Sequence, residues 1–82
     1  MRLDKYLKVS RIIKRRTVAN EACDAGRVVV SGKIARASYD VKVNDVIELT
    51  LGARTVKARV VSVNEYAKKD EAAMMYEIIE EK

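Results

Sequence analysis

Histidine, proline, tryptophan and phenylalanine are absent from the 82 residues, and cysteine occurs once, at Cys23. With no histidine and one thiol, an intramolecular disulfide and a Cys/His zinc site are both excluded, and a cysteine nucleophile lacks its usual base. Cys23 therefore reads as a small buried helix residue in a chain suited to a reducing, intracellular compartment. Glycine is confined to positions 26, 32 and 52, none spaced as a nucleotide-binding loop. There is no run of about eighteen apolar residues, and the opening MRLDKYLK lacks the apolar centre of a signal peptide. A cytoplasmic protein is expected, with no cofactor and no metal.

Aromatic residues make up 5% of the chain and all four are tyrosine, so the core must be built from Val, Ile, Leu, Ala and Met. A chain of this length buries only about 60% of the surface its unfolded form exposes, which leaves little room for an enclosed active site. The acids Glu77, Glu80 and Glu81 cluster at the tail, where no walled pocket is expected to make them a catalytic pair. An enzyme is not expected.

What the chain does have is uneven charge. The net charge is +5, but residues 1–36 carry +7, residues 37–64 carry +1 and residues 65–82 carry −3. Such polarity suggests a basic face for a polyanion and an acidic tail that aids solubility.

No linker, repeat or low-complexity tract divides the sequence, so one compact unit is expected. Leu3, Tyr6 and Leu7 at i, i+3, i+4 predict a short helix ending near Val9 or Ser10, its other face carrying Arg2, Lys5 and Lys8. A second helix is predicted from Thr17 to Ala25, with Val18, Ala22 and Ala25 as its inner stripe and Gly26 as its stop. The period then changes to two. Val28–Val30, a Ser31-Gly32 turn and Lys33–Ala35 read as a hairpin; Asn44-Asp45 turns the chain into a strand, 46–51, whose buried face is Ile47, Leu49 and Leu51. After Gly52, Val56, Ala58 and Val60 alternate with Lys57 and Arg59 on a wet, cationic face. A short helix over 68–75 and a closing strand over 76–79 complete the prediction. The fold class is α+β: two packed N-terminal helices, a small antiparallel sheet and a short C-terminal helix.

The sharpest feature is the block Lys14-Arg15-Arg16 at the entry to the second helix, with Arg11, Lys5 and Lys8 upstream and only Asp4 and Glu21 as local acids. A helix N-terminus offers free backbone N–H groups and partial positive charge, so cations are mildly unfavourable there. An arriving phosphate would satisfy both the N–H groups and the guanidinium forks, which places the missing counter-charge on a ligand. A membrane is not expected as that ligand, because Val18, Ala22 and Ala25 are too small to make an interfacial helix. Asp4 reads as a first-turn acid with a local ion pair, or as a group that orients a neighbouring arginine toward RNA. Tyr6 fits the core, whereas Tyr39, in a polar loop, is a candidate for stacking on a base.

The stretch from Arg2 to Leu49, RLDKYLKVSRIIKRRTVANEACDAGRVVVSGKIARASYDVKVNDVIEL, resembles the S-four RNA-binding domain: an Arg-Leu-Asp-x-x-Leu start, a Ser-Arg-x-x-x-x-Arg turn, an Ala-rich helix ending in Gly, then Val-x-Val-x-Gly-Lys and a Val-x-x-x-Asp strand entry. With this domain starting at Met1 and a short acidic tail following, the chain is similar to the stand-alone S-four proteins of bacterial ribosome-associated quality control. Small heat-shock proteins with the domain are also similar, but usually carry a longer basic C-terminal extension. The resemblance implies an αL motif in the two helices, an S-four-like RNA-binding domain over residues 1–64 and a short acidic extension, 65–82, packed on or following it. It also implies a factor on obstructed large ribosomal subunits that touches large-subunit rRNA and peptidyl-tRNA and helps a partner, RqcH, add C-terminal alanines to the stalled chain. By position, the RNA-facing set is Arg2, Asp4, Lys5, Ser10, Arg11, Lys14, Arg15, Arg16 and Thr17, with Lys33 from the hairpin. A monomer is expected. Ser31 stands where Asn is common before Gly32, and Asn44 where Gly is common before Asp45; the first change is expected to weaken a turn or an RNA contact, the second to be harmless.

Three alternatives differ in kind. One is a heat-shock-type binder of ribosomes or structured RNA with no part in tailing. Another is the RNA-binding part of a pseudouridine synthase or methyltransferase, whose catalytic domain is not seen before Lys82. A third is a protein-interaction module that recruits a partner through residues 65–82, to be tested by deleting them.

Overall fold

A computed structural model describes residues 1–81. Two helices, α1 (Leu3–Val9) and α2 (Arg16–Asp24), precede strands β1 (Val28–Val30), β2 (Lys33–Ile34), β3 (Val46–Leu51) and β4 (Arg54–Val60), a single helical turn α3 (Lys69–Ala72) and strand β5 (Tyr76–Glu81). The strands form one antiparallel sheet in the order β2-β1-β3-β4-β5.

Helix α1 forms because its three bulky apolar residues share one face, and Leu3, Tyr6 and Leu7 are fully buried. Its free N-terminal N–H groups are met by a loop rather than by a side-chain cap: Leu3 donates to the Tyr39 carbonyl and Asp4 to that of Ala37, at 2.8 and 3.2 Å. Helix α2 ends in a Schellman arrangement, with Gly26 N–H on the Cys23 carbonyl, Arg27 N–H on that of Ala22, and Gly26 at φ 71°.

The buried stripe of α2 differs from the expected one. Ala19, Ala22 and Cys23 face inward, while Val18 is 41% exposed and Ala25 lies on the surface. The helix runs beside α1, and only small side chains on the facing stripe let the two approach. Cys23 sits in that contact, and burial pushes its thiol up to about 11.

At the β1–β2 hairpin both central residues, Ser31 and Gly32, have positive φ, 52° and 85°, as a type I′ turn requires. Ser31 thus occupies a left-handed conformation that Asn tolerates better. Asn44 takes the same conformation at the entry to β3 (φ 77°). Ile47 and Leu49 are buried as expected, but Leu51 is 37% exposed because β3 runs beyond the core into its hairpin with β4.

The C-terminal segment closes the core. The strand expected over 76–79 extends to Glu81 and pairs with β4, setting Arg59 opposite Glu77 and Lys57 opposite Glu80. Arg59 Nη2 lies 2.8 Å from Glu77 Oε2. The wet face of β4 is therefore cationic in sequence but neutralised in space. Met75, 1% exposed, joins Leu3, Tyr6, Leu7, Val28, Ile47, Leu49 and Val60 in one apolar cluster, and its carbonyl accepts the buried Tyr6 hydroxyl at 2.7 Å.

Candidate nucleic-acid interface

The basic end of the molecule is organised around Asp4, which is 2% exposed in the first turn of α1. Its Oδ1 accepts hydrogen bonds from Arg2 Nε at 3.2 Å and from the Lys5 backbone N–H at 2.8 Å. Its Oδ2 accepts from Arg16 Nε and Asn20 Nδ2, both at 3.4 Å, and from Arg2 Nη2 at 3.5 Å. Burial opposes ionisation of this carboxyl. The hydrogen bonds from Asn20, Lys5 and Arg2 and the charge of Arg16 outweigh that cost and hold its pKa below 3.8.

The two arginines are held without being covered. The side chain of Arg2 is 52% exposed and that of Arg16 is 49%, against 3% for Asp4. Each guanidinium thus rests one edge on a buried anion and keeps about half its side chain in solvent. Arg15 and Arg16 also form the entry to α2, whose N-cap makes no side-chain hydrogen bond and whose first turn contains no acid.

The remaining members of the expected set fall into groups. Lys14, Arg15 and Thr17 are exposed. Lys8, Arg11 and Lys14 line a polar cleft with Val9, Glu65 and Ala67, and Arg11 adopts a left-handed backbone (φ 64°) where the chain leaves α1. Lys5 turns toward Glu65, with Nζ and Oε1 3.7 Å apart. Lys33 lies on the exposed hairpin and lines a groove with Ile34, Arg36 and Tyr39; a second groove, sharing Ile34 and Arg36, reaches Arg2 and Asn20. Ser10, in contrast, is 1% exposed, and its hydroxyl donates to the Leu7 carbonyl at 3.3 Å. It lies beneath the surface that the other residues form.

Two contributors were not in the expected set, Asn20 and Arg36. Asn20 stands four residues after Arg16, which puts both on the helix face that meets Asp4; that spacing is visible in the sequence, but the acid it serves is not. Tyr39 is half-buried and its hydroxyl donates to Asp45 Oδ2 at 2.9 Å, so its polar end is already engaged. Among the described residues there is no cluster of acid, cysteine or histidine side chains able to hold a metal ion.

Residues 1–47 match the model of the S4 domain. Over 81 residues the chain is 56% identical to the RQC P-site tRNA stabilizing factor of Streptococcus pneumoniae, covering 99% of this chain and 92% of that protein. The chain belongs to the S4-domain family of RQC P-site tRNA stabilizing factors. The Bacillus subtilis member is 49% identical over 81 residues, covering 99% of this chain and 94% of its own. In fold, the chain is similar to the trimeric structure of Vibrio cholerae Heat Shock Protein 15, with a TM-score of 0.87 at 26% identity, over 95% of this chain and 80% of that one. The S4 match contains every residue of the expected RNA-facing set and the Asp4 node, whereas Glu65 and the whole of α3 and β5 lie outside it. No described helix is long and apolar enough to cross a membrane.

Proposed function

We propose that this family member is an RNA-binding factor that acts in the cytoplasm on obstructed large ribosomal subunits. There it contacts large-subunit rRNA and peptidyl-tRNA and, with RqcH, supports C-terminal alanine tailing of the stalled chain. The observation that carries the reading is the pair of half-exposed arginines, Arg2 and Arg16, held on the buried Asp4 carboxylate beside an uncapped helix N-terminus. Fixed guanidinium forks and free backbone N–H groups at one place suit phosphate oxygens. The family name, with its P-site tRNA, supports the same partner.

RNA contact is assigned to the exposed members of the set, Arg2, Arg11, Lys14, Arg15, Arg16, Thr17 and Lys33, and to the half-buried Lys5. Asp4 acts by holding arginines and Ser10 by closing the end of α1. A monomer is proposed as the binding unit. A second reading, an RNA or ribosome binder with no part in tailing, is favoured by the likeness to the heat-shock protein.

The test is sedimentation of lysate containing the tagged protein, at low and high salt, with the wild type and Arg16→Glu. Co-migration with large subunits that carry peptidyl-tRNA, lost on raising salt and lost in Arg16→Glu with the circular dichroism spectrum unchanged, is the expected result. Binding that ignores both salt and the substitution would refute it. Persistence of alanine tails on stalled chains in a deletion strain would favour the second reading.

A further inference from the structure

The four tyrosines have unlike fates. Tyr6 is fully buried, Tyr39 is hydrogen-bonded to Asp45 and Tyr76 is half-buried in β5. Tyr66, in the segment between β4 and α3, is 85% exposed, although it is the largest side chain of that segment.

It is exposed on a tethered loop. The Tyr66 backbone N–H donates to Asn64 Oδ1 at 3.0 Å, and Asn64 Nδ2 donates to Glu71 Oε2 at 3.4 Å. Val63 and Ala67, on either side, pack against the core. Lys5 of α1 reaches the same loop, with its Nζ 3.7 Å from Glu65 Oε1 and 5.9 Å from the centre of the Tyr66 ring. An ammonium group at that distance is attracted to the aromatic face and adds a further hold on the ring.

The surroundings of this ring are cationic. Glu65 and Ala67, its chain neighbours, form one wall of the cleft whose other residues include Lys8, Arg11 and Lys14. The single acid in that wall is already paired with Lys5. A nucleic-acid strand whose phosphates follow Lys8, Arg11 and Lys14 therefore passes along the segment that carries the exposed Tyr66 ring.

We propose that Tyr66 is a base-stacking platform: an unpaired base of the bound RNA lies on its ring while the adjoining phosphates occupy the Lys8–Arg11–Lys14 cleft. This rests on the RNA-binding reading and extends the interface past residue 64, beyond the S4-domain match. Stacking on an aromatic face needs an unpaired base, because bases within a duplex are covered by their neighbours, and it tolerates any base identity.

The probe is purified large ribosomal subunits carrying peptidyl-tRNA, with wild type, Tyr66→Phe, Tyr66→Leu and Arg16→Glu compared by co-sedimentation titration. Tyr66→Leu weakens binding about tenfold, Tyr66→Phe binds like wild type, and the salt slope is the same in all three, because no phosphate contact has been removed. Short-wavelength ultraviolet irradiation of the wild-type complex leaves a nucleotide adduct on the peptide containing Tyr66. Since the side chain is exposed, circular dichroism of both Tyr66 variants should match wild type. If Tyr66→Leu binds like wild type and no adduct forms while Arg16→Glu loses binding, the stacking role is refuted and the basic interface survives. Should Arg16→Glu bind undiminished, the interface reading falls and this role falls with it.

Discussion

The Asp4 carboxylate, in the first turn of α1, holds the Arg16 guanidinium at the first turn of α2, 3.4 Å away and twelve residues along the chain. This one contact ties two helices to an arginine of the proposed interface. It also makes an acid part of the surface proposed to receive a polyanion.

Two accounts of that acid predict opposite outcomes. If only net charge mattered, Asp4→Asn, which makes the chain more positive, would tighten RNA binding. If Asp4 acts by holding Arg2 and Arg16, the same change weakens it. Ordering a long side chain costs about 0.5–1.5 kcal/mol, so releasing two arginines weakens binding by about 5- to 150-fold. Titration of wild type and Asp4→Asn against large ribosomal subunits at one salt concentration decides between them, and tighter binding by the variant would rule out the positioning role.

Acid should loosen the same node. Asp4 has a native pKa held below 3.8, so its contribution to stability is fully present above that unfolded value and disappears as pH falls through the native one. Asp40, held low by its hydrogen bond from the Met1 ammonium at 2.9 Å, changes in the same direction. Thermal melts followed from neutral pH downward should show the melting temperature falling below pH 3.8, and Asp4→Asn should show a shallower fall. Parallel curves for the two proteins would mean that Asp4 is not the group responsible.

The Tyr6 hydroxyl offers a calibrated test of how the tail is fastened. Removing it in Tyr6→Phe does not orphan the Met75 carbonyl, which also accepts from the Val61 and Ser62 N–H groups at 2.8 and 3.2 Å. The expected cost is therefore that of one ordinary hydrogen bond, about 1 kcal/mol, or a drop in melting temperature of about 4–8 °C for a domain of this size. Tyr6→Ala empties the centre of the core and should cost about 3–5 kcal/mol. Urea denaturation of the two variants gives both numbers, and equal losses would contradict the packing described.

Much of the architecture follows from local pattern: the period-three-to-four spacing of Leu3, Tyr6 and Leu7, the stop at Gly26, and the turns at Ser31-Gly32 and Asn44-Asp45. What local pattern could not decide was which of two overlapping stripes of α2 faces inward. Val18, Ala22 and Ala25 make one stripe, and Ala19, Ala22 and Cys23 the other. The choice falls to the second because packing against α1 selects it, and that contact is not local. The tail shows the same limit. The closing strand over 76–79 is expected from the sequence, but its extension to Glu81 and its pairing, which sets Lys57 and Arg59 opposite Glu80 and Glu77, are not local. At the interface, the basic block was legible as charge, but the convergence of Arg2, Arg16 and Asn20 on Asp4, and of Lys5 on Tyr66, depends on chain segments far apart in sequence.

The same fastening alters the proposed deletion of residues 65–82. That segment supplies Met75 to the core and β5 to the sheet, so its removal tests folding before it tests recruitment of a partner. Point substitutions on the exposed side of β5 are the cleaner probe.

The bond between Tyr6 and Met75 spans 69 residues. During synthesis, the hydroxyl of the central tyrosine of α1 must wait for Met75 to emerge before this bond can form. The helix that carries Asp4, on which Arg2 and Arg16 rest, thus gains this core contact only after residue 75 is made, and a fragment ending before Met75 keeps the basic sequence without the finished core.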